Sequence, residues 1–280
     1  MHNNTIKNHE GGYGSLSNIS NETINGICDV LKKNLIEGVS PKLLSRIVKL
    51  LLMTERNLRN NSKASCLIEL YRQSWSKDKP SDIQWEPPYP SHNEDNLWNI
   101  SAMHEVQGCL PSIVNNNELS GRFRALETHK DPSLGLMLWL FPALVTKERL
   151  KMVYGIVCKD LRNWTIQDKM LFWLACVQNQ KKDCWVTEYV EEQILRLQLD
   201  SGAFANVEGK DTNENVISSA MGLMVLVSCA KLKSQNGSAF DAARKTASWI
   251  VTHLKERQDV ETLSCAWSLY ALSEFINLVI

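Results

Sequence analysis

The chain of 280 residues carries 31 basic and 31 acidic side chains, and its zero formal charge at pH 7 lacks the basic excess of a nucleic-acid binder. Hydrophobic residues make up 44% and charged residues 22%, the balance of a soluble globular protein. The longest apolar run, PSLGLMLWLFPALV, falls short of the roughly 18 residues that a bilayer crossing needs, and the polar start of the chain lacks a signal peptide's apolar core. A cytoplasmic location is therefore expected. None of the eight cysteines forms a C-x-x-C pair and most sit in apolar periodic segments, as buried reduced thiols do.

Residues 1–20, rich in Asn, Gly and Ser, read as a disordered tail. The segment ETINGICDVLKKNLIEG is amphipathic and predicts a helix ending at Gly38. Ser40 is placed to cap the next helix, SPKLLSRIVKLLLMTERNL, with Pro41 at its first position. Its basic face (Lys42, Arg46, Lys49, Arg56, Arg59) reads as solvated, with a diphosphate or partner site as the alternative. A third helix is expected over 62–75, a long loop holding four of the eight prolines over 76–96, and helix again over 97–127. Residues 21–130 thus form N-terminal helices, either a cap or the first part of a larger ring.

Residues 131–280 alternate two kinds of helix. DPSLGLMLWLFPALV, TIQDKMLFWLACVQ, NVISSAMGLMVLVSCAKL and DVETLSCAWSLYALSEF are apolar over most of their circumference. KERLKMVYGIVCKDLRN, VTEYVEEQILRLQ and DAARKTASWIVTHLKER are amphipathic and charged. A helix apolar all round is buried, and an amphipathic one covers it. The apolar helices share a phrase built on Trp139, Trp173, Met221 and Trp267, spaced 34, 48 and 46 residues apart, as in helical-hairpin repeats. The expected fold is all-α: an α/α toroid of inner and outer helices, with an open helical solenoid as the alternative.

In the segment VEEQILRLQLDSGAF, Gln198, Gly202 and Phe204 stand in the order of the glutamine–glycine–aromatic turn that ends outer helices in terpenoid cyclases. Ser219-Ala220-Met221-Gly222-Leu223 is similar to the small-residue helix start of class II diterpene cyclases. Over roughly 130–277 the chain therefore resembles the α/α-toroid superfamily of terpenoid cyclases and protein prenyltransferases. The resemblance implies acid-initiated cyclisation of an isoprenoid or a similar apolar small molecule, as an isomerase or lyase. The acid motif is degenerate. Aligned by its helix, Asp-x-Asp-Asp falls on Asn215-Val216-Ile217-Ser218; shifted back four residues it falls on Asp211-Thr212-Asn213-Glu214. The class I diphosphate motif, the prenyltransferase zinc ligands and the complement thioester are absent from the sequence.

Asp211 and Glu214 are the candidate catalytic acids. Protonating an alkene needs a carboxylic acid kept neutral by burial or by a neighbouring carboxylate. Trp139, Phe172, Trp173, Trp267 and Tyr270 are the candidate substrate-binding rings, whose faces would stabilise a carbocation. Each has a plainer reading. Acids at helix starts cap the first turn, as Asp131, Asp168 and Glu261 would, and aromatic residues at helical spacing pack as core. The isolated His104 and His253 suggest no metal site, and no cofactor is expected. The alternative function is a non-catalytic α/α-toroid that binds a ligand or a protein partner.

Overall fold

The computed structural model describes residues 19, 21–78, 94–107, 121, 124, 126, 131–142, 155, 161, 164–179, 185–206, 213–233, 237–257 and 260–279. Among the described residues there are ten α-helices and no strand longer than an isolated bridge.

Helix α1 (Asn21–Glu37) stops at Gly38, whose φ of +105° lets its N–H turn back to the Asn34 carbonyl at 3.1 Å. The Ser40 side chain caps α2 (Pro41–Leu58) by accepting from the Leu43 N–H, and Pro41 stands where its missing N–H costs nothing. α3 (Ser62–Asp78) runs three residues beyond the expected end at 75. α4 (Glu94–Gln107) begins three residues earlier than the expected 97. Two carboxylates in its first turn, Glu94 and Asp95, complement the helix dipole and meet cations of α2. The expected helix beyond 107 lies outside the described residues, apart from positions 121, 124 and 126.

α5 (Ser133–Leu140) ends just before Pro142. α6 (Ile166–Gln178) opens on a capping box in which the Thr165 hydroxyl and the Asp168 carboxylate each satisfy the other residue's backbone N–H. α7 (Trp185–Leu197) follows. Then come α8 (Val216–Leu232), capped by Asn215, α9 (Ser238–Glu256) and α10 (Thr262–Val279). Of the expected amphipathic helix at 147–163 only Gly155 and Leu161 are described, and of the expected tail at 1–20 only Ile19.

The two kinds of helix separate as their composition requires. Seven of the eight residues of α5 are buried, and α8 is buried without a break from Ser218 to Ala230. α7 and α9 each bury one face, through Val186, Val190 and Ile194 and through Ala239, Ala243, Ala247 and Ile250. Each fully buried aliphatic side chain contributes roughly 1.5–3 kcal/mol, and α2, with Leu44, Ile47, Val48, Leu50, Leu51, Leu52 and Leu58 buried, contributes alongside the apolar helices.

Six helices pack in succession: α2 on α4, α4 on α5, α5 on α6, α6 on α8, α8 on α10, and α10 again on α2. The remaining amphipathic helices pack onto members of this succession. α3 covers α2, α7 covers α6 and α8, and α9 covers α8, while α1 packs on α3 and α10. A methyl group on Gly135 would stand 2.7 Å from the Phe172 backbone nitrogen, so α5 and α6 approach closely there.

Much of the basic face of α2 is turned toward α4. Lys42 and Arg46 pair with Asp95 at 3.2 and 2.8 Å, and the nearly buried Lys49 pairs with Glu105 at 2.8 Å. These three cations staple two helices. No helix among the described residues is long and apolar enough to cross a membrane.

Candidate functional site

The turn after α7 is built by the residues that carried the resemblance. Gln198 and Phe204 form an antiparallel bridge, and the Gly202 N–H donates to the Leu199 carbonyl at 2.8 Å. Gly202 has a φ of +93°, and a Cβ there would lie 2.8 Å from the Lys245 carbonyl, so only glycine lets α9 come this close. The Gln198 side-chain amide donates to the Ala242 carbonyl (2.9 Å) and to the Thr246 hydroxyl (2.8 Å). The Thr246 hydroxyl in turn donates to the Gly202 carbonyl at 2.8 Å. Phe204, fully buried, lays its ring on Gly222, and its N–H donates to Ser219 Oγ at 2.9 Å. The motif therefore clamps α7 to the next amphipathic helix and seats its aromatic ring on the apolar helix between them.

Glu214 lies in an extended segment, bridged to Ala205, and its side chain is exposed. One carboxylate oxygen accepts from Trp249 Nε1 at 3.2 Å, and Trp249 stacks on His253 at 4.6 Å. Burial, and then the charge of Arg257, hold His253 below its ordinary value. Asp211 lies outside the described residues. Asn215, which stands at the helix-anchored position of the acid motif, spends its carbonyl oxygen on the Ser218 N–H at 2.9 Å. Asp131 does the same for the Ser133 N–H at 2.8 Å. These side chains are engaged in starting helices.

Trp139 and Trp267 stack at 5.3 Å, Trp98 meets both edge-on at 5.7 and 6.0 Å, and Tyr270 lies 6.2 Å from Trp139. These rings come from α4, α5 and α10. α10 packs on α2 and α8, and its Trp267 also meets Trp98 of α4 and Trp139 of α5. Phe172 packs edge-on against Trp164 at 5.2 Å, and Trp173 is buried without a ring contact to the stack. Three of the five expected rings are thus brought together. Trp98 joins them from outside the repeat region, where no ring was expected; its signal was the apolar Leu97, Trp98 and Ile100 in an otherwise polar stretch.

Trp98, Trp139 and Trp173 bury indole N–H groups, and Thr187 and Ser268 bury hydroxyls, that find no hydrogen-bond partner among the described residues. Each unmet polar group costs about 1–3 kcal/mol, while each ring pair gains about 0.5–1.5 kcal/mol beyond its area. The Tyr270 hydroxyl is pushed well above its ordinary range by burial and then by Glu274, so it stays protonated.

Burial also pushes the Cys28, Cys229 and Cys265 thiols up, to about 11, 12 and 12, which makes them poor nucleophiles at neutral pH. Cys109, Cys158 and Cys184 lie outside the described residues. Among the described residues no three His, Cys, Asp or Glu side chains converge as metal ligands would. A cleft of about 290 Å³ opens between α1, the end of α9 and the start of α10, with Ile27, Val30, Leu254 and Val260 in its wall.

No family model, curated protein or solved structure matches the chain.

Proposed function

We propose that the chain is an α/α toroid working as a non-catalytic binding module. The toroid is supported by the return of helix packing from α10 to α2. One observation carries the functional half: Trp139 and Trp267 stack face to face, Trp98 meets both of them edge-on, and Tyr270 lies tilted against Trp139. Rings that stabilise a carbocation must present their faces to the substrate, whereas these faces meet each other. The exposure of Glu214 and its bond to Trp249 support the same reading, because an alkene-protonating acid needs a dry site.

The test is incubation of the purified protein with prenyl diphosphates and with squalene-type polyenes, followed by product analysis. No cyclised product is expected. A product that disappears in Asp211→Asn or Glu214→Gln variants would restore the cyclase reading and overturn this one.

A further inference from the structure

We infer that the cleft between α1, α9 and α10 binds an amphiphilic anion, an acyl chain carrying a single anionic head, and this rests on the binding-module reading. Four observations converge. The first is shape: about 290 Å³ lies just below the 300–1,000 Å³ typical of small-molecule sites, which suits a small ligand. The second is the wall. Ile27, Val30, Leu254 and Val260 are aliphatic, and the Cys265 thiol at the buried start of α10 is uncharged. Such a wall fits a saturated chain and offers little to a polar one.

The third is charge at the rim. Lys255 and Arg257 line the cleft and form no ion pair with any described residue, whereas Lys42, Arg46 and Lys49 are all paired. Among the described lining residues Glu22 is the one carboxylate, beside the two cations Lys255 and Arg257. A helix C-terminus favours cations, which accounts for their sign and leaves both able to receive an anionic head by charge-assisted hydrogen bonds.

The fourth is Gly26. It sits inside α1, where glycine is less stable than alanine. No neighbour forces it: a Cβ there would meet nothing within 4 Å, and its φ is not positive. What the missing side chain leaves open is the cleft, which Gly26 lines.

The experiment is calorimetric titration of the full chain with decanoate, beside decanol and decyltrimethylammonium. Decanoate is expected to bind at one site, at least about tenfold more tightly than either control, the difference one charged hydrogen bond makes. Gly26→Leu should abolish binding while leaving the melting temperature equal or higher, since the added side chain enters open space. Lys255→Ala with Arg257→Ala should weaken binding about tenfold or more, and Glu22→Gln should tighten it. Equal binding of decanoate and decanol, binding undiminished in Gly26→Leu, or no binding by the full chain overturns the inference. The two proposals fail separately. Cyclised product alongside Gly26-dependent decanoate binding sinks only the binding-module reading of the whole protein. Absence of both product and decanoate binding sinks only the assignment of this cleft.

Discussion

Gly222 and Phe204 lie eighteen positions apart and form one packing unit. A methyl group on Gly222 would stand 2.5 Å from the Phe204 ring, which is fully buried and has no room to swing aside. Gly222→Ala is therefore expected to lower unfolding free energy by about 1–3 kcal/mol, the usual cost of overpacking. Denaturant titration measures this, and a second change, Phe204→Leu, should recover part of the loss in a double-mutant cycle. Additive effects of the two changes would show that ring and glycine are independent. The order Gln198, Gly202, Phe204 is legible because a turn needs its residues close together. Thr246, the partner of Gln198, is 48 residues away and carries no local signal. The sequence therefore announces a turn of this type but hides what it clamps.

At the level of elements, α2 and α4 are joined by charge as well as by apolar packing. Burial would raise the Asp95 and Glu105 carboxyls, but hydrogen bonds and charges from Arg46 with Lys42, and from Lys49, outweigh it, and both end below their ordinary values. A carboxylate whose folded value is depressed stabilises the fold above its unfolded value, near 4, and loses that contribution as pH falls. Glu105→Gln leaves the Lys49 ammonium nearly buried and unpaired, and is expected to cost about 1–2 kcal/mol at pH 7. The gap in melting temperature between this variant and the parent should close as pH falls toward 3. A gap that stays constant would mean that shape, not charge, joins the helices. The same pair of elements shows where sequence reading stops. Proline-rich composition up to 90 obscured the start of α4, which is fixed by Arg46 and Lys42 from another helix.

For the whole molecule, the indole stack is the place where distant helices depend on each other. Trp267→Ala removes a ring touching Trp98 and Trp139 and is expected to cost about 3–5 kcal/mol, the range for deleting a buried aromatic. Hydrogen exchange should speed up in α4 and α5 as well as in α10, because all three lose the same contact. Exchange confined to α10 would show that the rings are neighbours without being coupled. That the apolar helices are buried and the charged ones cover them was legible from composition. Which rings point inward was not, since a helix apolar on every side gives no indication of which face looks toward the centre. The packing of α10 on α2 also sets a schedule for synthesis. Asn57 of α2 reaches Ser273 and Glu274, 216 and 217 residues further along the chain. At translation rates of 5–20 residues per second, α2 spends roughly 10–40 s outside the ribosome before its partner exists. During that time α2 lacks the contacts from Asn57 to α10 that it has in the finished protein.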